Sequence, residues 1–166
     1  MKLLFSLLAI LMLSKECENK NTSSASEEVN TTEQSQKMAS MEKAQNEMTI
    51  TYEASTRGYF HKVWVTKDTI RTTTDRYMKS IEGYPCPEKD WEELMEAMKD
   101  IKLTSLSELE PPSKAFQYDG AAMASLKVQD GDVIYATPIF DNGNPPKSIA
   151  AVVKKVLSLG EMVEKQ

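Results

Sequence analysis

Side chains able to do chemistry are sparse in this sequence, and each lacks the company its chemistry requires. His61 is the single histidine and stands among Tyr59, Val63 and Trp64. A metal site needs several convergent ligands, and a nucleophilic triad needs a base held by an orienting partner. Neither set of partners is visible around His61 in the sequence, which favours a structural or surface role. Cys86 precedes Pro87 at the start of a helical pattern, where a helix N-terminus favours the thiolate. Its one nearby basic residue is Lys89, so the preferred reading is a half-buried residue beside the helix start, with a Cys17 to Cys86 disulfide further behind.

Asp119, Asp141, Asn142 and Asn144 fall in two loops that could meet at one end of a sheet and offer oxygens to Ca²⁺. Their spacing departs from the D-x-[DN]-x-[DN]-G calcium loop. Closing turns and capping the last helix are roles that Asn and Asp fill well. No metal site and no cofactor are expected. Met95 and Met98 are soft and adaptable, but helical spacing explains them as core. Tyr52, Tyr59, Phe60 and Trp64 are more informative: the sheet face turned away from the helices would expose some of them, and exposed aromatics mark interaction surfaces.

The elements that would position these groups follow from periodicity. Met48, Ile50, Tyr52 and Ala54 alternate with Thr49, Thr51 and Glu53, the period of a half-buried strand. Strands over 59–66 and 69–74 complete a meander, with Trp64 opposite Val63 and Val65. Gly83 and Pro85 make 77–86 read as a loop. Pro87, Glu88 and Asp90 suit a helix start, and Trp91, Leu94, Met95, Met98 and Ile101 recur on one helical face. Ala122 to Val128 and Val133 to Thr137 flank Asp130-Gly131, a hairpin signal. A last helix buries Ile149, Val152, Val153, Val156 and Leu157, with Gly160 near its end. The predicted class is α+β: a five-stranded antiparallel sheet in βββ-α-ββ-α order, with two helices packed on one face.

Ahead of that domain lies an address. Met1-Lys2 and the apolar run Leu3 to Leu13, broken only by Ser6, have the proportions of a secretory signal and fall short of the ~20 residues that cross a bilayer. Residues 1–17 therefore read as an export segment ending at Cys17. Residues 18–46 are Ser, Thr, Asn, Gln, Glu and Lys with isolated apolar residues, a composition that cannot bury enough surface to order itself. They read as a disordered polar linker, and 47–166 as the domain. All six Tyr and both Trp lie from Tyr52 onward. With a net charge of −5, the 166-residue chain has no electrostatic reason to seek phosphate backbones, so nucleic acid is not an expected partner.

The placement of Cys17 resembles bacterial lipoproteins, whose signal ends at a Cys that carries lipid. Leu13 and Ser14 fit that pattern, while Lys15 and Glu16 stand where small uncharged residues are usual. The element order, Asp119-Gly120-Ala121-Ala122 and the turn Phe140-Asp141-Asn142-Gly143-Asn144-Pro145-Pro146 likewise resemble small exported bacterial lipoprotein domains of unknown function, over roughly 47–160. The resemblance implies a lipid anchor at Cys17, a place in the cell envelope on the periplasmic or surface side, and no catalytic residue to carry over. The resulting expectation is a binding or interaction module with a membrane contact through its anchor and an unidentified envelope partner. Its alternative is a small accessory enzyme acting through Cys86 or the Asp119 and Asp141 loops.

Overall fold

The structure is a computed structural model that describes residues 48–166. The expectations for the export segment, Cys17 and the linker lie outside the described residues. Alternation makes β1 (Met48–Ser55) a strand with one buried side, where Ile50, Tyr52 and Ala54 are wholly buried. β2 (Phe60–Val65) and β3 (Thr69–Thr73) follow antiparallel. Val63, Val65 and Ile70 share the inward side with Ile50, as the two-residue period of a strand requires.

Among the described residues the sheet has seven strands where five were expected. β4 (Glu82–Pro85) pairs with β3 through Thr69↔Pro85 and Thr72↔Glu82, in the stretch that reads as a loop. Proline and glycine do break strands, but an edge strand tolerates a residue with no amide donor, and β4 is an edge. β5 (Met123–Asp130) and β6 (Val133–Ala136) form the expected hairpin around a left-handed Gly131. β7 (Phe140–Asp141) is a two-residue strand pairing Ala124 with Phe140 and Met123 with Asp141. It is too short to leave a periodic trace. Hydrogen-bonded neighbours run β4-β3-β2-β1-β5-β6, all antiparallel, with β7 beside the other end of β5.

Two α-helices occur among the described residues, α1 (Glu88–Met98) and α2 (Ala150–Glu164). α2 lies across β1, β2 and β3, and α1 packs on α2. Trp91, Leu94 and Met98 of α1 join Val152, Val153, Val156 and Leu159 of α2 and the inward strand residues in one core. Lys155 ties the helices together by donating to Asp90 at 2.8 Å and to Glu93. Burial works against its charge, but the hydrogen bonds to the two carboxylates outweigh that and hold its pKa above the ordinary lysine value.

α2 runs on for a turn past Gly160, and the sheet approaches it there. A β-carbon at Gly160 would lie 2.6 Å from a Val63 methyl. The glycine therefore sets how closely α2 can seat on β2.

Candidate functional site

The strands sort the aromatic candidates onto two sides. Tyr52 faces the helices: it is fully buried, its hydroxyl donates to Asn142 at 2.5 Å, and its ring lies 6.3 Å from that of Phe140. Burial foremost pushes its pKa up to about 12. Tyr52 thus leaves the predicted interaction surface and belongs to the core, because it shares the inward register of Ile50 and Ala54. Tyr59 is 41% exposed at the β1–β2 turn. Phe60 and Trp64 stand half-buried on the outward side.

That outward side is the candidate face. None of its residues belongs to the core, which draws every strand contribution from the inward side. Across four adjacent strands the register aligns Lys127, Thr51, Trp64 and Arg71 in one row. The Lys62 ammonium lies 5.6 Å from the Trp64 ring centroid and 3.5 Å from the Glu53 carboxylate, a cation–π contact and an ion pair that hold the indole in place. Arg76 stands 5.4 Å over the Phe60 ring and donates to the Thr56 and Tyr59 carbonyls, bracing the end of the face. Arg71 and Lys127 are exposed and make no ion pair or side-chain hydrogen bond among the described residues. Reading aromatics alone misses these two. The sign of the charges at alternate strand positions is the signal that would have found them.

The loop candidates resolve into a structural clasp. Asp141 is buried and accepts hydrogen bonds from the Ser113 hydroxyl, the Phe116 amide at 2.7 Å and the Ala115 amide at 3.0 Å. Asn144 donates to the Ser113 oxygen at 2.8 Å, and the Asn142 amide to Ala122 at 2.8 Å. The carboxylate so caps the short 3₁₀ helix Ala115–Tyr118 from across the loop. The Ser113 hydrogen bond first, and then the two amides, hold the Asp141 carboxyl below its ordinary value against the opposing effect of desolvation. Asp119 does not join: it is exposed and left-handed at the far end of that helix. No group of three His, Cys, Asp or Glu placed to hold a metal occurs among the described residues.

Asp141→Asn is expected to speed amide exchange at Ala115 and Phe116 roughly tenfold or more. A carboxamide brings one acceptor oxygen to three donors, so the loop loosens. In the unsubstituted chain the same amides should keep their protection down to the ordinary carboxylate range near ~4. A lowered folded-state pKa makes the stabilisation complete above the unfolded value and lost only as pH falls through the folded one. Equal exchange in both chains would show that the carboxylate does not hold the loop.

His61 and Cys86 each sit in a setting that argues against catalysis. His61 Nε2 lies 3.2 Å from Glu164 and 3.3 Å from the Thr72 hydroxyl, which itself donates to Glu164 at 3.3 Å. A triad uses both ring nitrogens, one for the nucleophile and one for the orienting acid. Here both contacts converge on one nitrogen, and the cluster fastens the end of α2 to β2 and β3. Burial and the Asp90 carboxylate push the Cys86 thiol above its ordinary pKa, with Lys155 offsetting part of the effect. Burial first, and the acidic neighbours after it, thus work against the reactive thiolate that the helix N-terminus suggested.

A shallow groove of about 550 Å³ runs along the outer side of α2, between Pro145, Leu157 and Glu161. It gathers none of the sequence candidates. No helix among the described residues is long and apolar enough to cross a membrane. No protein-family model matches the chain, and no curated protein matches it in sequence.

Proposed function

We propose that this chain is an exported binding module that presents the outward sheet face, centred on Trp64, to a partner in the bacterial envelope. The observation that carries the reading is a sheet side that no described helix covers, with a half-buried Trp64 braced by Lys62 between Thr51 and Arg71. A large aromatic held by its neighbours loses little freedom when a partner settles on it, which is why such residues anchor interfaces. The apolar run Leu3 to Leu13, Cys17 and the polar stretch 18–46 support export and a lipid tether at Cys17. The raised Cys86 thiol and the structural commitment of Asp141 weigh against the accessory-enzyme alternative.

The test isolates the mature chain from envelope fractions. A mass corresponding to a start at Cys17 plus acyl groups supports the tether, and a start elsewhere overturns it. Captured envelope material should be retained by the unsubstituted chain and lost by Trp64→Ala with little change in melting temperature. Undiminished capture by the variant would remove Trp64 from the binding surface.

A further inference from the structure

We infer that the outward face binds an acidic polysaccharide, a chain of sugars bearing carboxylates; this rests on the proposal that the face is a binding surface. Charge differs in sign between α1 and the outward face. In a chain of net charge −5, α1 carries Glu88, Asp90, Glu92, Glu93 and Glu96 against Lys89 alone. The outward positions of β1, β2, β3 and β5 instead carry Lys62, Arg71 and Lys127 against Glu53, which is paired with Lys62 at 3.5 Å. A local cationic field on an acidic protein selects an anionic partner.

The distribution of the groups narrows the class. Strands are ~4.8 Å apart, so the backbones of Lys127 and Arg71, three strands apart in one row, stand ~14 Å from each other. Between them lie the Thr51 hydroxyl and the Trp64 indole, with Ser125 and Gln129 on the same side of β5. β1, β2 and β5 are each paired on both sides, so an extended peptide finds no free backbone edge on this face and would have to bind through side chains alone. Nucleic acid carries a dense line of phosphates that two unpaired cations match poorly. A sugar-acid chain offers what the row can use: C–H surface for the indole, hydroxyls for Thr51 and Gln129, and spaced carboxylates for Arg71 and Lys127.

Titration of the full chain with a short oligogalacturonate tests this against three probes of similar length: a neutral cello-oligosaccharide, a polyglutamate peptide and an oligothymidylate. The acidic glycan is expected to bind at least about tenfold more tightly than each of them, with affinity falling as salt rises. Arg71→Gln and Lys127→Gln should each weaken it by about fivefold or more, and Lys147→Gln, off the face, should leave it unchanged. Glu53→Gln should tighten it, because Lys62 is released towards the ligand. Equal binding of any comparison probe, or indifference to the Arg71 and Lys127 substitutions, overturns the assignment. If the oligogalacturonate fails while Trp64→Ala still abolishes envelope capture, the ligand class falls and the binding face stands. If Trp64→Ala changes neither, both fall.

Discussion

Trp91→Ala is expected to cost about 3–5 kcal/mol of folding stability, the range for removing a large aromatic from a core and leaving part of its volume empty. Trp91 is only 4% exposed and shares a face of α1 with Leu94 and Met98, all three inside the core that joins α1, α2 and the sheet. At ~4 °C per kcal/mol for a domain of this size, the melting temperature should fall by about 12–20 °C. Such a loss is a large share of the stability of an ordinary domain. A shift of a degree or two in a calorimetric melt would mean that α1 does not pack as described.

Gly160→Ala carries a sharper prediction because two known effects oppose each other. Alanine favours a helix interior over glycine by about 1 kcal/mol, so an unencumbered site would gain stability. Here the added methyl would lie 2.6 Å from a Val63 methyl that is stiff, β-branched and fully buried. Overpacking of that kind costs about 1–3 kcal/mol, and Gly160→Leu should exceed it. The net effect of Gly160→Ala is therefore a loss. In a Val63→Ala background the obstructing methyls are gone, and the same substitution should become neutral or stabilising. Chemical-denaturation measurements on the four chains of this cycle decide it. A Gly160→Ala cost that persists unchanged without the Val63 methyls would show that α2 and β2 are not in contact there.

The parts of the fold legible in the sequence are those whose burial follows a period. β1 could be read from Ile50, Tyr52 and Ala54, and α1 from Trp91, Leu94 and Met98, because every repeat of the pattern meets the same core. β4 was hidden because all four of its residues are exposed, leaving only the Gly83 and Pro85 that usually mark a loop. β7 was hidden by its two-residue length, and its Asp141 looked like turn chemistry when it is a cap for a loop 25 residues away. Tyr52 was misplaced for a different reason. Its aromatic character suggested an exposed surface, while its register, the same as that of Ile50, already placed it inward. The outward face was half legible: Trp64 stood out by type and Arg71 faces it across the short β2–β3 hairpin, but Lys127 joins the row only through the β1–β5 pairing, between strands far apart in the chain.

The measurement that bears most directly on the binding face is hydroxyl-radical footprinting of the full chain, free and loaded with captured envelope material. Side chains that a partner covers become slower to oxidise, and the aromatics here report on separate parts of the surface. The binding face predicts protection of Trp64 and Phe60, while Tyr118 and Tyr77, 83% and 80% exposed and outside the strands, oxidise as before. Protection confined to Tyr118 or Tyr77, with Trp64 unchanged, would contradict it and move the binding surface elsewhere on the domain.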